Sequence, residues 1–287
     1  MPELPEVETT KTSLEPLLQQ QVIAVKVRQS KLRWSIPDDI QQLQGQRLLS
    51  LRRRSKYILA QFERDQMIWH LGMSGSFRLA QPQDELRKHD HLMIDFDHVQ
   101  LRYHDPRRFG CILWLNQDTQ QKLLDPLGPE PLSDDFNTDY LYQKLQKKAV
   151  AIKVALMDNH IVVGVGNIYA TESLFLTGIH PAQAAHSLTR TQVEALVIEI
   201  KRILQHAIQL GGTTLRDYSN AMGENGYFQQ TLLAYGRAGE MCVQCETTLE
   251  NIKLGQRASV YCPACQALKK VPVRPTTSKA NSTANSK

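Results

Sequence analysis

The sequence predicts an α+β protein: an N-terminal antiparallel β-sandwich led by a helix, then a helical domain, then a small C-terminal cysteine ribbon. Three observations predict it. Residues 22–115 carry short apolar alternations separated by turn formers, whereas residues 139–212 carry apolar residues at helical spacing. Four of the five cysteines form two Cys-x2-Cys knuckles near the C-terminus. The 287 residues exceed one comfortable core, so two domains plus a small module are expected.

The opening MPELPEVET predicts a helix from about Leu4 to Leu18, with Pro5 pre-setting φ in the first turn and Glu3, Glu6 and Glu8 at the positive end of the helix dipole. Strand patterns follow in VIAVKVRQ (22–29), RLLSLRRRSKYILAQF (47–62), MIWHLGMSGSFRLA (67–80), HLMIDFD (91–97) and CILWL (111–115). No second long helical pattern interrupts them, so they are expected to form a two-sheet sandwich. DPLGPEPLSDDF (125–136) reads as a linker. Helical periodicity resumes in 139–158, 166–178 and 188–212, the last with Thr189 as N-cap and Gly211 as terminator. Residues 213–239 read as a long loop of functional length, and the apolar-poor C-terminus as a disordered basic tail.

The net charge of +5 says nothing about the folded part. Lys269, Lys270, Arg274, Lys279 and Lys287 account for all of it, and the preceding 265 residues balance 29 basic against 29 acidic side chains. Local clusters are more informative: Arg52, Arg53, Arg54 and Lys56; Arg107 and Arg108; Lys144, Lys147, Lys148 and Lys153. Together they suit contact with phosphates, although each alone equally describes a solvated face. No apolar run reaches the roughly 18 residues of a membrane span, and the acidic start does not resemble a signal peptide. A cytoplasmic protein without membrane contact is expected.

Cys242, Cys245, Cys262 and Cys265, with 16 residues between the inner pair, match a closed tetrahedral site for one structural Zn²⁺. Two disulfides are the alternative, discounted because nothing routes the chain to an oxidising compartment. Cys111, on an apolar strand, reads as core. Arg257 to Tyr261 alternate like one strand of a hairpin too small to fold unaided, which leaves Arg257 free to face a ligand. GVGN (164–167) places glycines before a helix start, where backbone N–H groups and Asn167 can receive a phosphate. Met73 in LGMSGS and Phe109 in DPRRFG are apolar residues in glycine-flanked turns. They are either half-buried turn residues or, with Arg107, a wedge entering a base stack from which a nucleotide has been flipped.

Pro2 admits two readings. It is helix punctuation, or, once Met1 is removed, a secondary amine with a reference pKa of about 7.7 to 8.0, nucleophilic at neutral pH beside the acid of Glu3. MPELPEVET, RRSKYIL, HLGMSGSFR, KHDHL, RYHDPRRFG, LGPEPLSDDF, LMDN, VVGVGNIYATESLF, GIHP, GGTTLRDY, GYFQ, YGR and QRASVYC favour the second. From residue 1 to about 265 the chain resembles the bacterial formamidopyrimidine-DNA glycosylases, also called 8-oxoguanine DNA glycosylases.

The resemblance implies a bifunctional glycosylase and abasic-site lyase that removes oxidised purines from duplex DNA. Pro2 is then the nucleophile that forms an iminium with the sugar, Glu3 the general acid, Lys56 the group assigned to the first elimination and Arg257 to the second. As an always-protonated side chain, Arg257 is better described first as a phosphate anchor. The implied DNA contacts are His89, Arg107, Lys148, Lys153 and Asn167, with Met73, Arg107 and Phe109 filling the void left by the flipped base. The implied architecture is a catalytic β-sandwich domain (1–130), a helix-two-turn-helix domain (131–236), a zinc-finger hairpin (237–266) and a tail (267–287), acting as a monomer. Arg216 departs from the family's frequent lysine, which bears on base preference. The nearest rival is endonuclease VIII, with the same start and ribbon but oxidised pyrimidines as substrate. A catalytically idle binder of bent duplex is the rival of another class.

Overall fold

The computed structural model describes residues 2–213, 221 and 227–268. Arg216, most of the loop after Thr213 and the tail after Leu268 lie outside the described residues.

Helix α1 (Leu4–Ser13) begins with a reciprocal capping box between Glu3 and Glu6. It stops five residues short of the expected Leu18 and tightens into a 3₁₀ turn at Glu15–Leu17. Pro16 is the cause, since it lacks the N–H that an α-helix needs there and its ring crowds the carbonyl one turn back.

Eight strands follow: β1 (Val22–Val27), β2 (Leu48–Arg54), β3 (Tyr57–Phe62), β4 (Gln66–His70), β5 (Ser76–Ala80), β6 (Asp90–Phe96), β7 (Gln100–His104) and β8 (Cys111–Trp114). They form two four-stranded antiparallel sheets, ordered β1-β6-β7-β5 and β2-β3-β4-β8. The run 47–62 is a hairpin that turns at Ser55 and Lys56, with Ser55 at φ +56°. The run 67–80 changes sheets between β4 and β5 through the LGMSG corner. Strand β7 escaped the sequence reading because it is short: only Leu101 and Tyr103 face the core, while Arg102 points to the other face, fully buried, with its guanidinium donating to the carbonyls of Gln81, Asp84 and Glu85. Phe62, Trp69, Phe77 and Tyr103 fill the sandwich, and α1 closes it with Val7 and Leu14.

A short helix, α2 (Gln117–Leu123), capped by Asn116, interrupts the expected sequence of strands and linker. Leu124 just beyond it covers Leu59 and Ile68 on the outer face of the second sheet, so β3 is buried on both sides. The linker is therefore a bolt: Arg54 donates to Leu127 O and Gly128 O, and Gly128 N–H donates to Asn159 O across the domain junction.

The helical domain holds α3 (Thr138–Gln146), α4 (Ile152–Leu156), α5 (Asn167–Leu176) and α6 (Arg190–Gln209). The stretch 139–158 is two helices rather than one, because Ala151 leaves helical geometry to bridge with Ala184. Thr189 caps α6 through a capping box with Gln192, and Gly211 follows its end at φ +75°. The cysteine module pairs β9 (Glu250–Leu254) with β10 (Arg257–Tyr261) around a turn in which Gly255 and Gln256 both have positive φ. Glu172 on α5 accepts N–H bonds from Leu233, Ala234 and Tyr235, which fixes the approach to that module.

Candidate active site

Glu3 is almost completely buried at the junction of the two domains. Its carboxylate accepts from Gly166 N (2.8 Å) and Ile168 N (2.9 Å) and more weakly from Tyr169 N (3.4 Å), so it caps α5. The N–H groups of Gly166, Ile168 and Tyr169 at this helix start are thus taken by the protein's own carboxylate, which leaves Asn167 as the residue of GVGN that a phosphate could reach. The glycines serve close approach instead. A Cβ on Gly166 would lie 2.5 Å from Glu3 Oε1, and one on Gly164 would lie 2.6 Å from Leu4 Cβ. Leu4 N–H donates to Gly164 O and completes the docking of the N-terminus.

Glu6 holds the next layer. It accepts from Glu3 N (2.8 Å), Tyr169 Oη (2.7 Å) and Thr213 N (2.7 Å). Burial raises the Glu3 pKa above the ordinary carboxylate value, and the negative charge of Glu6 adds to that, against the opposing Lys56 cation and backbone N–H groups. Lys56, buried in the β2–β3 turn, moves the other way, because burial and the facing Arg257 cation disfavour its charged form. The two shifts run toward each other, the acid's up and the amine's down, and each group lies in the other's electrostatic field.

The hairpin carrying Lys56 is clamped by Glu130, which accepts from Arg53, Arg54 and Ser55 N. Arg53 also pairs with Glu8 at 2.6 Å. The 52–56 cluster is thus not a phosphate surface as a whole. Arg53 and Arg54 are structural, and Lys56 alone of its cations is buried toward Glu3.

Arg257, at the start of β10, is exposed. With Lys148, Val150, Lys153, Met157 and Gly255 it lines a cleft of about 380 Å³ between α4 and the β9–β10 hairpin. Lys153 lies deeper than an open contact, because its Nζ donates to Ala258 O and Ser259 Oγ at 2.9 Å each. Burial lowers its pKa to about 8. Lys148 is more open and pairs with Asp158 at 3.3 Å. Asn167, the first residue of α5, keeps its Oδ1 buried without a hydrogen-bond partner. His89 lies apart from this cleft, stacked edge-on against His91 and His104. Met73 is half-buried, whereas Arg107 and Phe109 are exposed on the turn before β8, with Arg107 Cζ 4.9 Å from the Phe109 ring centre. Pro2 is buried next to Glu3.

Two residues of this neighbourhood escaped the sequence reading. His70 ends β4 and accepts from Gly72 N–H through Nδ1, and burial with the nearby Lys56 cation holds its pKa down to about 4. Burial raises the Tyr235 pKa and the nearby Glu3 charge adds to that, against the polar Asn167 and the Arg257 cation. Periodicity signals neither, though both fall inside quoted stretches, His70 heading HLGMSGSFR and Tyr235 opening YGR.

The four Sγ atoms of Cys242, Cys245, Cys262 and Cys265 lie within 4.8 Å of one another. Tetrahedral Zn²⁺ at about 2.3 Å from each sulfur sets them about 3.8 Å apart. The observed pairs at 3.3, 3.4 and 4.0 Å bracket that value, so the residues fit one zinc ion. With four protein ligands the site is closed, and its role is to hold the hairpin that presents Arg257.

Three family models match in order along the chain: the formamidopyrimidine-DNA glycosylase N-terminal domain over residues 1–112, its H2TH domain over 127–219, and the zinc finger found in FPG and IleRS over 239–268. The chain belongs to the formamidopyrimidine-DNA glycosylase family. The formamidopyrimidine-DNA glycosylase of Acinetobacter baumannii is 76% identical over 271 residues, which cover 94% of this chain and 99% of that protein. That of Pseudomonas syringae is 52% identical, covering 93% and 100%. Among solved structures, a Lactococcus lactis FPG mutant in complex with Fapy-dG containing DNA superposes with a TM-score of 0.87 at 35% identity, covering 93% of this chain and 100% of that one. The Lactococcus lactis protein with abasic-site DNA gives 0.86 at 36%, covering 92% and 99%. The glycosylase family, the α+β architecture and the zinc ribbon expected from the sequence all stand. Among the described residues no helix is long and apolar enough to cross a membrane.

Proposed function

We propose that the protein excises oxidised purines, 8-oxoguanine and formamidopyrimidines, from duplex DNA and then cuts the strand at the abasic sugar. The observation that carries this reading is the Glu3 carboxyl, buried beside the chain's start and within the field of Lys56, in a member of a DNA glycosylase family. With Met1 removed, the Pro2 amine attacks C1′ of the damaged nucleotide and the C–N bond to the base breaks. Glu3 gives its proton to the ring oxygen, the sugar opens, and Pro2 and C1′ share a charged iminium. The iminium withdraws electrons from C2′, whose proton is lost as the 3′ phosphate leaves; a second elimination releases the 5′ phosphate. Lys56, with its lowered proton affinity, is suited to moving protons in the first elimination. Arg257 and Lys148 gather the strand's phosphates at the cleft between α4 and the hairpin, and Lys153, tied to Ala258 O and Ser259 Oγ, adds its positive charge from beneath.

Met73, Arg107 and Phe109 fill the gap left by the extruded nucleotide. Arg107 presents donors to the orphaned partner, which suits the O2 and N3 acceptors of cytosine and opposes the amino group of adenine. Purine specificity over the pyrimidine specificity of endonuclease VIII rests on this trio. The protein acts in the cytoplasm, as a monomer.

Borohydride reduction during turnover on duplex containing 8-oxoguanine should trap a covalent adduct, mapping by peptide mass to Pro2. Strand cleavage without a trappable adduct would overturn the mechanism. Glu3→Gln should keep binding to that duplex and lose excision; unchanged excision would make Glu3 structural only.

A further inference from the structure

The two turns that carry the wedge come from different parts of the chain. Met73 lies in the turn between β4 and β5, and Arg107 and Phe109 lie in the segment between β7 and β8. Each turn passes from one sheet to the other, so at its tip the strand ladders no longer hold it. A side-chain bond joins the two. Ser74 Oγ donates to Asp105 Oδ1 at 2.8 Å and accepts from Arg107 N–H at 3.2 Å.

Asp105 is completely buried, and its donors come from the same structural unit. Oδ2 accepts from Gly110 N at 2.9 Å and from Tyr103 Oη at 3.2 Å. Its carbonyl accepts from Arg108 N–H and bonds His91 Nε2. A buried carboxylate is costly unless fully satisfied, and this one is satisfied by groups whose placement shapes the wedge. The backbones also touch: a Cβ on Gly72 would lie 2.4 Å from Gly110 N and from Phe109 C. Arg108 sits at φ +56°, a left-handed conformation between Arg107 and Phe109, whose side chains meet with the Arg107 Cζ 4.9 Å from the Phe109 ring centre.

We propose that Ser74 and Asp105 are positioning residues that lock the Met73 turn to the Arg107–Phe109 turn, so that the wedge is preformed before DNA arrives. The proposal rests on the reading of Met73, Arg107 and Phe109 as the wedge. Neither Ser74 nor Asp105 needs to touch DNA. Ser74 fixes the height of the Arg107 backbone relative to Met73, and thereby the position from which the guanidinium meets the partner base.

The test compares Ser74→Ala, Ser74→Thr and Arg107→Ala in single-turnover assays at one salt concentration. The substrates are duplex with 8-oxoguanine opposite cytosine, the same lesion opposite adenine, and a single-stranded oligonucleotide carrying a preformed abasic site. Ser74→Ala should lower excision opposite cytosine about tenfold, the scale of one lost hydrogen bond, and shrink the cytosine-over-adenine ratio toward that of Arg107→Ala. Its cleavage of the single strand, which offers no partner base and no stack to enter, should stay within about twofold of the unmodified enzyme. Ser74→Thr, which keeps the hydroxyl, should restore both excision and ratio. An unchanged ratio in Ser74→Ala beside a flattened one in Arg107→Ala overturns the lock alone. Equal loss on duplex and single strand also overturns it, because general damage to the fold then explains the effect. An unchanged ratio in Arg107→Ala overturns the wedge reading, and the lock with it.

Discussion

Replacing Gly166 by alanine isolates the docking of Glu3 from every other role of the N-terminus. Gly166 has φ −125° and ψ −152°, an extended conformation that alanine adopts freely, so the substitution introduces a methyl group and no backbone strain. That methyl would lie 2.4 Å from Glu3 Cδ and 2.5 Å from Oε1. Ordinary carbon contacts begin near 3.5 Å, so the carboxyl must retreat by about 1 Å. Its two short bonds, from Gly166 N at 2.8 Å and Ile168 N at 2.9 Å, then lengthen beyond useful range. Hydrogen bonds between neutral groups contribute about 0.5 to 1.5 kcal/mol each, so loss of the two is expected to cost about 1 to 3 kcal/mol of stability. A displacement of about 1 Å at a reacting centre costs about 100-fold in rate. Urea unfolding and single-turnover excision of 8-oxoguanine opposite cytosine measure the two effects. Excision within about threefold of the unmodified enzyme would refute the claim that the α5 N-terminus positions the acid.

The remaining expectations concern metal, pH and partner base. Cys245→Ser, or chelation of zinc, should loosen the β9–β10 hairpin and weaken DNA binding at least tenfold while leaving the sandwich folded, as read by fluorescence anisotropy and circular dichroism; full binding by metal-free protein contradicts the structural role of the zinc. His70 has its folded pKa depressed from 6.5 to about 4, so its contribution is complete above pH 6.5 and is lost as pH falls from there through 4. Relative to His70→Gln, the unmodified protein should lose about 1.4 kcal/mol of unfolding free energy per pH unit across that window; parallel stability curves would show that the His70 pKa is not depressed by folding. Arg107→Ala should flatten the preference for 8-oxoguanine opposite cytosine over adenine by about tenfold and weaken duplex binding, measured by single-turnover rates and anisotropy at fixed salt.

Local chemistry was legible in the sequence wherever a short stretch is sufficient to decide it. Thr189 and Gln192 form their capping box from their spacing alone, the two Cys-x2-Cys knuckles converge on one tetrahedral site, and Pro2 beside Glu3 announces an amine next to an acid. Alternation found most strands because a strand with one buried face displays its period of two. It did not find β7, which offers only Leu101 and Tyr103 to the core, or α2, whose polar residues leave it to Leu124 to cover the sheet. Tertiary structure decided which charges are structural. Arg53 and Arg54 read like Lys56 until Glu8 and Glu130, the latter more than seventy positions away, claim the first two and leave the third facing Glu3. It also decided that the N–H groups of Gly166 and Ile168 receive the protein's own carboxylate. The physical reason is the same in both cases: capping and metal geometry depend on residues a few positions apart, whereas a charge's partner and the burial that shifts its pKa come from distant segments that only folding brings together.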